Sequence, residues 1–99
     1  MNLDELRKDL IEYRAIYYLL QINQLNTEGY IRGKFLKEKF TNLDIIYGDG
    51  VIAEGHGVRC GAGYLRKVSD KSEILSIADD ESEIYTKLNE YKQKYKKAK

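Results

Sequence analysis

Residues 3–25 read LDELRKDLIEYRAIYYLLQINQL, and the fold turns on how this stretch is read. Leu3, Leu6, Leu10, Tyr13, Tyr17 and Leu20 recur at spacings of 3, 4, 3, 4 and 3, which is a single stripe down one face of a helix. At about 100° per residue, Ile11, Ala15, Tyr18, Leu19 and Ile22 form a second apolar set well round from the first. The first half of the helix is therefore one-sided, with Asp4, Glu5, Lys8, Asp9 and Glu12 expected on the wet face. The second half, Ala15 to Ile22, is apolar nearly all round and requires a cover on two sides, from its own domain or from another chain. Asn2 is placed to cap the start, and Glu5 three residues later completes a box-like signature. The spacing predicts a helix over 3–25.

Asn26, Thr27, Glu28 and Gly29 follow as a helix stop and turn. Thr27 is the expected cap of a second helix running to about Phe40. Its stripe of Ile31, Phe35, Leu36 and Phe40 is ragged, and Gly33 inside it costs about 1 kcal/mol relative to alanine. Tyr30 to Leu36 also alternates, so a strand is the competing reading of residues 27–40; helix is favoured.

From Asn42 the pattern changes to period two. Leu43, Ile45 and Tyr47 alternate, Gly48-Asp49-Gly50 has turn chemistry, and Val51-Ile52-Ala53 resumes a strand. Gly55-His56-Gly57 reads as the next turn, and Val58 to Val68 as a longer strand bulged at Gly61 or Gly63. A polar turn at 69–72 precedes a last strand over Glu73 to Ala78. Connections this short join antiparallel neighbours. A final helix is expected from Asp79 or Asp80 to about Lys97, with Asp80 and Glu83 as its cap pair. Ile84, Leu88, Tyr91 and Tyr95 form its seam, and Glu83 with Lys87 and Glu90 with Lys94 are supporting pairs. The predicted fold is α+β over one domain, 1–99. It comprises a long N-terminal helix, a second helix, a three- to four-stranded antiparallel meander, and a C-terminal helix packed antiparallel to the first.

Composition bounds the function. Ninety-nine residues support one modest core. The 42% hydrophobic and 33% charged content is that of a folded chain. A formal charge of +1 gives no global field to steer nucleic acid or anionic membrane. The single cysteine, Cys60, fits a reducing compartment, no apolar run is long enough for a membrane span, and the acidic start is unlike a signal peptide. A cytoplasmic protein is expected. Many Lys, Ile, Asn and Tyr with no Pro suggest an A/T-rich genome, such as a low-GC bacterium or a phage or mobile element within one.

Six of the eight glycines lie between Gly48 and Gly63, and Gly48, Asp49, Gly50, Gly55, His56 and Gly57 are the candidate ligand or partner loop. The stretch lacks the Gly-Lys-Ser/Thr ending of a phosphate loop and the spacing of a dinucleotide fingerprint; turns and bulges are the favoured reading of it. His56 and Cys60 are the nearest nucleophile and base candidates, but nothing in the sequence orients them, and two ligands fall short of the four of a structural zinc site. No metal, cofactor or catalytic residue is assigned.

Arg59, Arg66, Lys67, Lys92 and Lys96 are candidate nucleic-acid contacts, on a basic hairpin and a lysine-rich tail. Acids opening the last helix and lysines closing it also suit its dipole alone. Nine tyrosines are many for this length, and tyrosine is enriched at interfaces. Tyr13, Tyr17, Tyr18, Leu20, Leu88, Tyr91 and Tyr95 are the candidate protein interface. The leading expectation is a non-enzymatic regulator or inhibitor that self-associates through helical seams and binds a protein partner, with no membrane role. A nucleic-acid-binding regulator and a small-ligand or nucleotide binder are the alternatives.

Overall fold

A computed structural model describes residues 2–53, 58–77 and 82–98; at 49–53, 58–62 and 73 it describes the backbone only. The element order is α1 (Leu3–Gln21), α2 (Thr27–Asn42), β1 (Ile45–Ala53), β2 (Val58–Lys67), β3 (Glu73–Ile77) and α3 (Ser82–Tyr95). The strands form one antiparallel sheet in the order β1-β2-β3, with the helices on its inner face. The fold is α+β, as the pattern predicts.

Asn2 caps α1: its side-chain oxygen accepts the Asp4 and Glu5 amides at 3.0 and 3.2 Å. The helix stops at Gln21 rather than near Leu25, because Asn23 takes a left-handed φ of 57° and reverses the chain. α2 is a helix, and its cap is Asn26 rather than Thr27: Asn26 Oδ1 accepts the Gly29 amide at 2.7 Å. Gly33 has a packing reason that offsets its cost, since a Cβ there would lie 3.0 Å from Ile16 Cγ2 where α1 and α2 approach.

Gly48-Asp49-Gly50 is not a turn. β1 runs straight through it, pairing Gly48 with Tyr64 and Asp49 with Gly63. The ring of Tyr64 lies flat over Gly48, where a Cβ would come within 2.0 Å of the ring. A long-range aromatic contact thus uses the glycine that locally resembles a turn. Three strands result among the described residues, the lower end of the expected three to four. Between Gly50/Ile52 and Ala62/Arg59, β2 carries one extra residue, a bulge at the Cys60–Gly61 position. The expected turn at Gly55-His56-Gly57 and the Asp80 cap lie outside the described residues.

The inner face of the sheet presents Ile45, Tyr47, Leu65 and Ile77 to the helices, in one apolar cluster with Leu6, Leu10, Ile16, Leu36, Ile84 and Leu88. α1 is its axis. Buried residues occur all round its middle, from Leu6 to Leu19, because α2, α3 and the sheet each take one side.

The antiparallel packing expected for α1 and α3 is wrong in direction: they run parallel. Asp4 and Lys8 share a hollow with Glu83 and Lys87, Tyr18 meets Lys92 further on, and Lys97 N donates to Gln24 O at 2.7 Å beyond both C-termini. Asn26 secures that end. Its amide donates to Tyr95 O at 2.8 Å, and its Nδ2 to Lys94 O and Lys96 O at 3.1 and 3.4 Å. One side chain therefore caps the start of α2 and the end of α3.

Candidate functional site

The face of α1 predicted to be wet is partly interior. Asp9 and Glu12 are only 6% and 7% exposed, because α2 brings cations to them. Arg32 donates to both Glu12 oxygens at 3.0 Å, and Tyr95 O–H donates to Glu12 Oε2 at 2.5 Å. Lys39 Nζ lies 2.7 Å from both Asp9 Oδ2 and Glu5 Oε1. Hydrogen bonding to Lys39 holds Glu5 below its ordinary pKa, and the same contacts, with Asp9 first, raise Lys39. Burial, then the bond to Glu12, pushes the Tyr95 phenol far above its ordinary value. The ladder sets the α1–α2 register, and its groups are matched to each other.

On the other flank of the same helix pair lies a trough. Tyr13 packs edge-on against Phe40 and Tyr47, with centroids at 5.5 and 4.9 Å, and Tyr17 sits 5.3 Å from Tyr47. Burial, with Tyr17 adding, raises the Tyr13 phenol. These rings floor two hollows of about 240 and 270 Å³ that share Tyr13, Tyr17 and Lys37. Leu20, Tyr30 and Lys34 wall one end, and Ile46 and Thr41 the other. Leu20, Tyr30 and Ile46 are 44–50% exposed, a large apolar presentation for one concave flank.

The predicted interface residues separate. Tyr13, Tyr17 and Leu20 meet in the trough. Tyr18 lies on the opposite side of α1, its ring 4.2 Å from Lys92 Nζ. Leu88 and Tyr95 are in the chain's own core. Tyr91 is half-buried beside Tyr95, with rings stacked at 6.5 Å. Ala15, Ile16 and Leu19 are covered by the chain itself, leaving Tyr18, Leu20 and Ile22 at the surface. Sequence reasoning missed Tyr30, Lys34, Lys37, Phe40 and Tyr47. A signal for part of this was present: Tyr30, Lys34, Lys37 and Thr41 recur at spacings of 4, 3 and 4, a polar-aromatic stripe on α2.

The candidate nucleic-acid residues are not gathered. Lys67 pairs with Ile45 just after α2, and Lys96 bridges to Leu25 just before it. The 16 residues of α2 hold those two positions about 24 Å apart. Arg66 stacks over Tyr64 at 5.5 Å on the outer face of the sheet. Of Arg59 only the backbone is described, in β2. In the candidate loop, Gly48, Asp49 and Gly50 belong to β1, while Gly55, His56 and Gly57 lie outside the described residues.

Two larger hollows are mixed in charge. One of about 600 Å³ between α2 and α3 is lined by Glu12, Glu28, Arg32 and Lys94 with Phe35 and Tyr91. One of about 540 Å³ between α1 and α3 is lined by Asp4, Arg7, Lys8, Glu83 and Lys87. Among the described residues no group of three or more His, Cys, Asp or Glu side chains is placed to hold a metal, and no helix is long and apolar enough to cross a membrane. No protein-family model, curated protein or solved structure matches the chain.

Proposed function

We propose that this protein is a small non-enzymatic regulator that works by docking a protein partner in the tyrosine-floored trough between α1, α2 and β1. The observation that carries the reading is the trough itself: half-buried Tyr13, Tyr17 and Tyr47 as a rigid floor, with exposed Leu20, Tyr30 and Ile46 on its walls. Rigid aromatics with apolar neighbours are the usual anchors of protein interfaces. The seams that favoured self-association are largely engaged within the chain, since Leu6, Leu10, Ile84 and Leu88 pack on each other. A different protein is therefore the preferred occupant over a second copy. A non-catalytic role is supported by the pairing of the buried carboxylates Asp9 and Glu12 with Arg32 and Lys39.

The test is photo-crosslinking in cells with p-benzoylphenylalanine placed at Leu20, Tyr30 or, as a control on α3, exposed Tyr85. A discrete adduct from positions 20 and 30 but not 85 supports the reading, and its mass distinguishes a different protein from a second copy. The same pattern from all three positions, or no adduct, removes it.

A further inference from the structure

We infer that the occupant of the trough is an acidic segment of another protein, one that sets apolar or aromatic anchors against Tyr13, Tyr17 and Leu20 and carboxylates against Lys34 and Lys37. The inference rests on the docking reading above and adds the partner's chemistry. It comes from the way charge is sorted around α2. On the ladder flank, Arg32 and Lys39 are matched by Glu12, Asp9 and Glu5. On the trough flank, Lys34 and Lys37 are exposed, and neither makes an ion pair among the described residues. Among the described residues they are the only charged side chains in the walls of the two joined hollows, and no carboxylate is among those walls. Glu38, four residues after Lys34, is not among the wall residues. The two larger hollows each mix acids and bases.

A concave surface with an apolar floor and charges of one sign concentrates the opposite sign. The low-dielectric walls strengthen the field of the two lysines, and net chain charge of +1 means the effect is local. Lys34 and Lys37 lie one turn apart on the same face, with Cβ atoms roughly 5–6 Å apart. Two carboxylates one turn apart on a partner helix, or two residues apart on an extended segment, match that spacing. The ordered rings beneath them add anchor pockets that a bare lysine pair lacks. An acidic segment without apolar residues would leave these pockets wet, and an apolar segment without acids would leave the lysines unmatched.

The test pans a phage-displayed library of random peptides of roughly 16 residues, enough in helical form to run the length of α2, against the full chain. Enriched peptides are expected to combine Asp or Glu with Leu, Phe or Trp. A synthetic copy should lose affinity about tenfold or more on the Lys34→Glu/Lys37→Glu variant and on Leu20→Asp, and less on Lys34→Gln/Lys37→Gln. Lys87→Glu should leave it unchanged. Binding should weaken as salt rises from about 50 to 500 mM. Peptides lost on Leu20→Asp but neutral or basic, and indifferent to the lysine variants, overturn the acidic assignment and leave the docking reading standing. Peptides indifferent to Leu20→Asp as well, or no enrichment, overturn both. A fluorescein-labelled oligothymidylate that binds the wild type, fails on the lysine variants and displaces the peptide assigns the face to nucleic acid and overturns the proposal.

Discussion

The hydroxyl of Tyr95 donates to Oε2 of Glu12 across 83 positions of sequence, joining the last helix to the first inside the core. The same carboxylate receives Arg32 from α2, so one acid side chain is shared by all three helices. A buried charge of this kind is tolerated only while its partners remain.

Tyr95→Phe removes the phenol and leaves the packing. Glu12 keeps Arg32, so the loss should sit near the lower end of that for a hydrogen bond to a charged group, about 1–2 kcal/mol. Urea denaturation monitored by far-UV circular dichroism measures it. A shift in midpoint with no change in slope is expected.

The titration directions give a plateau with two falling sides. Glu5 is held below its ordinary value by Lys39, so its contribution is present above that value and is lost as pH falls through the lowered one. Lys39 and Tyr95 are raised; theirs are present below their ordinary values and are lost as pH rises above them. The combined contribution of these three groups should be level between about pH 5 and pH 9 and decline outside that range. In Lys39→Met the midpoint at pH 7 should drop, and the share of the acid-side decline due to Glu5 should vanish. Urea midpoints across pH for both proteins check this.

Asn26 separates two capping functions. Asn26→Asp keeps an oxygen for the Gly29 amide and loses the Nδ2 donor to Lys94 O and Lys96 O; Asn26→Ala loses both. The alanine variant should cost about 1–2 kcal/mol and the aspartate variant less. Hydrogen exchange should show faster opening at the end of α3 in both, and at the start of α2 in the alanine variant alone.

Gly48→Ala drives a methyl into the Tyr64 ring and should destabilise by about 1–3 kcal/mol. In a Tyr64→Ala background the same change should cost much less, so the double-mutant cycle should return a coupling of at least about 1 kcal/mol. Equal costs in both backgrounds would contradict the contact.

How far the fold was legible follows from which forces are local. The Asn2 cap, the α1 and α3 seams and the antiparallel run of consecutive strands follow from patterns close in sequence, and each appears where its spacing places it. The wet face of α1 failed at Asp9 and Glu12 because burial there comes from Arg32 and Lys39, 20 or more residues away. The turn at Gly48-Asp49-Gly50 failed because Tyr64, 16 positions on, packs on the first glycine. Gly33 looked like a fault in a helix until Ile16 explained it. The trough was half-legible: Tyr13, Tyr17 and Leu20 stand in one stripe, but Tyr47 and Phe40 reach them through tertiary contacts.

The burial of α1 round its middle, from Leu6 to Leu19, has a consequence for biosynthesis. Its final cover, α3, begins 61 residues after α1 ends. At ribosomal rates that is an interval of roughly 3–12 s. During it the nascent chain carries a helix whose α3-facing side is still uncovered. Variants that weaken the closing contacts should therefore lower soluble yield more than they lower equilibrium stability.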